Sequence, residues 1–368
     1  MMLRFVKSQP VLTAAFAAAV ITMFIVPPDA EYAGYINRTV LIQLFSLMTA
    51  VAGFRSIGIF EKVTDKLLEK AGTVRKLGLV FVLICFFASM AVTNDVALLT
   101  FIPLTLIAFS GVDGKSLIYT IVLETAAANL GSMVTPVGNP QNIFIYNNYK
   151  LSLGLFLKTM APAGIASLLI LVLLTFLLPK DKCSHAEKTE QEIKPVPLAG
   201  YSALFIVCLL TVFGVIPDWA CLIAAVVTAL IFNRSLLIKV DYPLLATFVC
   251  FFIFVGNIAR IGAVSDFFSG AMKGRELIVS AALSQVISNV PAAVMLSGFT
   301  GSGTQLLLGV NIGGLGTIIA SLASLISFQF YRKTEGANSV KYMAVFSAVN
   351  FGMLIVLLIV QRAVSMAA

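Results

Sequence analysis

Residues 129–142, Asn-Leu-Gly-Ser-Met-Val-Thr-Pro-Val-Gly-Asn-Pro-Gln-Asn, stand inside an apolar stretch long enough to cross a bilayer. Amide side chains, a Thr, two Gly and two Pro fill a segment that otherwise reads as helix. Proline removes a backbone hydrogen bond and clashes with the preceding turn, and glycine loosens what remains. In hydrocarbon the freed N–H and C=O groups cost several kcal/mol each unless protein or a ligand satisfies them. The segment therefore predicts a helix broken at membrane depth. Amides on both sides of the break point to a binding site rather than to a kink used for packing.

Composition sets the surroundings of that break. Of 368 residues, 59% are hydrophobic and 11% charged, where soluble domains carry about 25% charged residues. The fold class expected is an all-α polytopic membrane protein. The net charge of +8 is spread through short loops and forms no patch, which fits the cytoplasmic excess of Lys and Arg and not nucleic-acid binding. Four of the five cysteines, Cys85, Cys208, Cys221 and Cys250, lie in apolar segments, and Cys183 does not. They read as small buried hydrophobes, not as a disulfide framework. The one histidine, His185, falls in a polar linker, which argues against histidine-based catalysis and multi-histidine metal sites. Arg4 and Lys7 precede an apolar run without a small-residue cleavage site, so that run is read as a retained first span.

At 1.5 Å per residue a span needs about 20 apolar residues. Spans are expected at 10–27, 39–60, 116–147 (broken), 155–178, 198–216, 218–232, 243–262, 304–331 (broken) and 340–361. Residues 277–287 and 291–299 flank Ser288-Asn289-Val290-Pro291, and each arm, about 14–18 Å as helix, is too short to cross. A re-entrant hairpin over 277–299 is expected. Residues 77–92 and 96–109 flank Thr93-Asn94-Asp95 in the same way, giving a hairpin over 77–109, with two short true spans as the alternative. This topology places the N-terminus in the cytoplasm and the C-terminus outside. It puts loop Lys and Arg inside over outside at about three to one.

The two hairpins then enter from opposite sides, as in an inverted repeat. Thr93-Asn94 answers Ser288-Asn289 at the tips. Asn129 with Thr135 answers Asn311 with Thr317 at the same spacing, and Gly58 before Glu61–Lys76 answers Gly262 before Ser265–Arg275. The division expected is a first repeat at 1–178, a cytoplasmic linker at 179–197 and a second repeat at 198–368.

Chemistry is expected at the tips and breaks. Asn94 and Asn289 offer amide oxygens suited to a hard cation, with Na⁺ expected near Asn94, Asp95 and Asn289. The helix N-termini beside them favour an anion. Asp95 reads either as an ion or proton ligand or as an N-cap of the second arm. Thr135, Asn139, Asn142, Thr317, Ser321 and Ser324 complete the set. Glu124 reads either as a proton carrier or as the partner of Arg260 or Arg55. Asp218 and Trp219 read as an interface anchor.

Ala128-Asn-Leu-Gly-Ser with Thr135-Pro-Val-Gly-Asn-Pro-Gln-Asn142 resembles the broken-helix motif of the ion transporter superfamily. That superfamily includes arsenite permeases, citrate carriers, divalent-anion:sodium symporters and a sodium/proton antiporter branch. Asn311-Ile-Gly-Gly with Thr317-Ile-Ile-Ala-Ser-Leu-Ala-Ser324 resembles its second-half segment, and the two tips resemble its Ser/Thr-Asn hairpin tips. This chain differs in having Asp95 and Val290 where the symporters usually carry Thr, and in having Ile318 and Ala320 in the second break. The resemblance implies that Asn129, Pro136, Gly138, Pro140, Gly313, Ser288 and Val290 belong to the site with the residues above. It further implies an elevator-like transporter, expected as a homodimer in the lipid bilayer of a bacterial-type inner membrane. The function expected is secondary transport of a small anion, such as a carboxylate or oxyanion, coupled to Na⁺ or H⁺ and needing no further cofactor. The alternatives are a cation/proton antiporter, an arsenite-type efflux permease and, in another class, an intramembrane enzyme.

Overall fold

The computed structural model describes residues 10–68, 71–182 and 193–367. Apart from one isolated bridge between Thr73 and Lys182, every regular element among them is helical. Six helices are long and apolar enough to cross a membrane by themselves. The chain is an all-α polytopic membrane protein.

The first series of elements runs α1 (Pro10–Ile25), α2 (Tyr32–Tyr35), α3 (Arg38–Ser56), α4 (Ile59–Leu68), α5 (Val74–Val92), α6 (Asn94–Ala108), α7 (Gly114–Ser132), α8 (Pro140–Asn148) and α9 (Leu153–Thr175). After α10 (Pro195–Val212) the same order of long, short, broken and paired helices returns. It comprises α11 (Asp218–Phe232), α12 (Ser235–Ile238), α13 (Tyr242–Ala259), α14 (Gly262–Met272), α15 (Glu276–Ile287), α16 (Asn289–Ser297), α17 (Gly303–Ile312), α18 (Leu322–Arg332) and α19 (Ser339–Ala367). The two expected hairpins are α5–α6 and α15–α16, each a pair of helices in contact and joined at one residue. The two expected broken helices are α7–α8 and α17–α18.

Several expectations need correction. The span placed at 39–60 stops at Ser56, and Ile59–Leu68 is a separate helix, because Gly58 at φ 71° turns the chain between them. The second arm of the first hairpin starts at Asn94 and not at 96. The first arm, at 19 residues, is long enough to span, whereas α15 and α16, at 12 and 9 residues, are not. The reading of His185 and Cys183, and most of the linker, falls outside the described residues. The four described cysteines are free thiols, with the Cys208 and Cys221 sulfurs 3.7 Å apart.

The helices sort into two groups. In one, α1 lies along α13, and α3 packs on α10 and α11, which also pack on each other. In the other, α5–α9 pack with α15–α19, through α5 on α7, α15 on α17, α6 on α18, and α19 on both α7 and α9. The groups meet where α3 touches α8 and α13 touches α16. The amphipathic helices α4 and α14 each lead from the first group into a hairpin of the second, and the chain returns from α9 to α10. Within the second group the start of α5 is tied to the end of α9. The Val74 and Arg75 amides donate to the carbonyls of Asp181 and Pro179, both at 3.0 Å, and Arg75 Nε donates to the Leu178 carbonyl at 2.8 Å.

Candidate functional site

The tip residues Thr93 and Ser288 have the same unusual backbone, φ 73° ψ 152° and φ 75° ψ 154°. Side chains other than glycine rarely accept positive φ, and such strain persists only where the surroundings over-determine it. Two matched anchors hold these tips. Thr135 Oγ1 donates to the Met90 carbonyl in one half, and Thr317 Oγ1 donates to the Gln285 carbonyl at 2.8 Å in the other. Each acceptor lies three residues before its tip. The threonines picked out by spacing thus hold equivalent places, each anchoring the arm that leads to a tip.

The breaks are stitched to each other across the two halves. Asn129, near the end of α7, accepts from Ser321 Oγ at 2.8 Å, and Ser321 is the residue that opens α18. Asn311, near the end of α17, accepts from Asn139 Nδ2 at 2.9 Å, and Asn139 opens α8. Asn311 Nδ2 in turn donates to Asn142 Oδ1 at 2.7 Å. Asn142 Nδ2 closes the first break, lying 2.9 Å from the Thr135 carbonyl, 3.2 Å from that of Ser132 and 3.3 Å from that of Met133. The carbonyls of Ser132, Met133 and Thr135, left open by the break at Pro136, find a partner in this way, as burial in hydrocarbon requires. Gly131, Gly138 and Gly313 stand where backbones touch. A Cβ on Gly138 would overlap the Ser132 carbonyl, and one on Gly131 the Phe86 carbonyl.

Between the tips lies a crevice of about 10 Å³, the room taken by about one water molecule. Asn94, Asp95, Pro140, Gln141, Asn289, Val290, Ser321 and Leu322 line it together with Leu244. The first residues of four helices, α6, α8, α16 and α18, therefore meet at one point. Each brings an N-terminal partial charge of roughly +0.5. Three of the lining residues have a buried oxygen with no hydrogen-bond partner among the described residues, namely Asn94 Oδ1, Asp95 Oδ1 and Gln141 Oε1. Such uncommitted acceptors suit a hard cation, which takes oxygen ligands. No cluster of three or more His, Cys, Asp or Glu occurs among the described residues. Asp95, Pro140 and Leu244 also line a cavity of about 610 Å³ between α3, α6 and α13, with Arg55, Glu61, Lys239 and Asp241.

The other sequence-derived residues divide. Asn94 Nδ2 donates to Asn129 Oδ1 at 3.0 Å, which holds its own oxygen free. The Asn289 oxygen is taken by the Val290 amide at 2.9 Å, so the two tip amides are not equivalent as ligands. Asp95 lies in the first turn of α6 without capping it, and no side-chain hydrogen bond caps that helix. Ser324 is buried with an unpartnered hydroxyl but does not line the crevice. Glu124 pairs with neither arginine. Thr105 Oγ1 lies 2.5 Å from it, while Arg260 pairs with Asp29 at 2.8 Å and Arg55 donates to the Leu99 carbonyl at 3.2 Å. Asp218 accepts from Thr39 at 2.9 Å beside the exposed Trp219.

Two residues were missed. Gln141 lines the crevice, and Gln285 cross-links the second break, donating to the carbonyls of Gly313 at 2.8 Å and Leu315 at 2.9 Å while accepting from the Thr317 amide at 2.8 Å. Both are amides inside apolar helix, the one signal that pointed to them.

Comparison with known proteins shows the family of the chain. A family described as citrate transporter matches residues 2–305. The chain belongs to the citrate transporter family. Among its relatives, an uncharacterized transporter of Methanocaldococcus jannaschii is 34% identical over 292 residues, covering 78% of this chain and 80% of that protein. The inner membrane protein YbiR of Escherichia coli is 33% identical over 294 residues, covering 78% of each. A silicon efflux transporter of Oryza sativa is 31% identical over 154 residues, covering 41% of this chain and 31% of that protein. The matched span of this citrate transporter family member includes both hairpin tips and the first break.

Proposed function

We propose that this protein is a secondary active transporter for a small multivalent anion, of the carboxylate or oxyanion kind, coupled to Na⁺ or H⁺. The observation that carries the reading is the meeting of four helix N-termini at a crevice that also holds three uncommitted oxygens. The helix ends favour an anion, and the oxygens with Asp95 favour a cation. The crevice has room for one small ion, so the anion takes the adjoining end of the larger cavity that Asp95 and Pro140 also line. Side by side in a medium of low dielectric each neutralises the other, and the two move together.

The division into two helix groups supports an elevator motion. The group holding both tips and both breaks slides against the group of α1, α3, α10, α11 and α13, with α4 and α14 as connecting arms, in a homodimer. The halves are related as an inverted repeat, with the N-terminus cytoplasmic and the C-terminus outside. The 610 Å³ cavity reaching Asp95 then opens to the cytoplasm, since it is lined by Arg55 and Lys239 at that side. Purified protein in proteoliposomes, given a panel of labelled carboxylates and oxyanions under separate Na⁺ and pH gradients, will accumulate one anion class only when a gradient is present. Accumulation of none, with proton release driven by cations alone, sinks the anion reading in favour of antiport. Preloaded vesicles distinguish the efflux direction.

Asp95→Asn keeps an oxygen at the crevice but removes its charge. Coupled anion uptake is expected to survive, with the cation requirement raised by about tenfold, the weight of one charge-assisted contact. Complete loss of gradient-driven uptake in a well-inserted variant would assign the coupling to Asp95 itself.

Topology has its own check. An impermeant thiol reagent is expected to label a cysteine at 185 only from the cytoplasm and one at 365 only from outside, in a background lacking the native cysteines. Labelling of both from one side removes the odd number of crossings and the inverted repeat with it.

A further inference from the structure

A second cavity, of about 740 Å³, lies at the opposite end of α9 from the α5 tie, between the first turns of α9, α15 and α17 and the last turns of α19. It is therefore walled by both halves of the chain. Its apolar side is made by residues such as Leu155, Leu277, Ile278, Leu308 and Ile359. Its polar side carries Lys158 and Arg362, both exposed, and no Asp or Glu lines it. Neither cation makes an ion pair among the described residues. Gln361, next to Arg362 in the chain, also lines the cavity, 5% exposed, and its Nε2 donor has no partner among the described residues. A buried donor left unpaired beside two uncompensated cations is costly unless an acceptor fills the space.

We infer that this cavity is a binding site for an anionic phospholipid, whose phosphate is held by Lys158, Arg362 and Gln361 while its acyl chains lie on the apolar wall. Three features select that occupant. Two positive charges and a free N–H ask for a phosphate-type acceptor with a net negative charge. The adjoining aliphatic wall asks for hydrocarbon, which a free ion does not supply. A second copy of the chain docking isologously would set Lys158 and Arg362 against their own symmetry mates. Because α9 comes from one half and α15, α17 and α19 from the other, a bound lipid bridges the halves within the group that carries both tips.

The test uses the full-length protein purified in neutral detergent and analysed by native mass spectrometry. The probes are phosphatidylglycerol, phosphatidylcholine of the same acyl chains, and inorganic phosphate. Phosphatidylglycerol is expected to stay bound where phosphatidylcholine does not. The double variant K158Q/R362Q, changed at exposed positions, is expected to lose phosphatidylglycerol by roughly thirty-fold, about the weight of two basic residues at a lipid surface. Changing Lys341 to Gln, at the opposite end of α19 from the cavity, is the control and is expected to leave retention unchanged. Equal retention of the two lipids, an unchanged double variant, or displacement of phosphatidylglycerol by inorganic phosphate at equal concentration would each overturn the assignment.

Discussion

Asn94→Ala and Asn289→Ala will each abolish transport in proteins that still fold and insert. Both residues are 4% exposed and open the second arm of a hairpin at the crevice. Alanine at 94 deletes a free oxygen facing the crevice and the 3.0 Å bond to Asn129. Alanine at 289 deletes the acceptor that holds the Val290 amide. Each change costs about 1–3 kcal/mol in buried hydrogen bonding, a loss that a chain of this size survives. The functional loss is larger, because an apolar side chain cannot ligate an ion or orient the helix end that does. Uptake rate set against melting temperature in the same preparation separates the two effects. Near wild-type uptake by both variants would place the site elsewhere.

A comparable loss, by a different physical route, is expected from Gly131→Val and Gly313→Val. Each glycine sits two residues after its break asparagine and presses on the first arm of a hairpin seven residues before the tip, at Phe86 and Ala281. At Gly313 a Cβ would stand 2.7 Å from the Ala281 Cα. The obstacle in both cases is backbone, which cannot swing aside, so overpacking here is expected to cost about 3 kcal/mol or more. Folded protein recovered by size-exclusion chromatography should fall sharply for both. Gly154→Ala in α9, where a Cβ meets nothing within 4 Å, should leave yield unchanged or improved. Normal yield of the valine variants would mean that the hairpins do not seat on the breaks as described.

The matched effects expected at 131 and 313 show what the sequence could and could not reveal. Asn129 with Thr135 and Asn311 with Thr317 share their spacing in the bare chain, and that spacing marks two copies of one device. Periodicity and apolar length placed α11 at Asp218–Phe232 without error and located the first break, because Pro136 and Pro140 punctuate it. The second break has no proline, so its limits at Ile312 and Leu322 were not legible to the residue. Its turn depends on Gly316 at φ 101° and on Gln285 reaching in from another helix. Cross-links of that kind join residues far apart in sequence and leave no local pattern. Of the two readings of Glu124, the ion pair failed for the same reason. Charge alone suggested a guanidinium partner, but depth in the bundle put Arg260 and Arg55 out of reach and left a threonine beside it.

The stitching of the two breaks also sets an order for making the protein. Asn129 waits for Ser321, 192 residues later, and Asn139 waits for Asn311, 172 residues later. At about 5–20 residues per second of synthesis, that interval is roughly 10–40 s. During it the first half sits in the bilayer with its break held by its own bonds alone, such as Asn94 to Asn129 and Asn142 to the Thr135 carbonyl, and without the two that the second half supplies. Nascent protein is thus at its most vulnerable to quality-control proteolysis just before α18 emerges, and a ribosome stalled ahead of that helix would leave a product that cannot close.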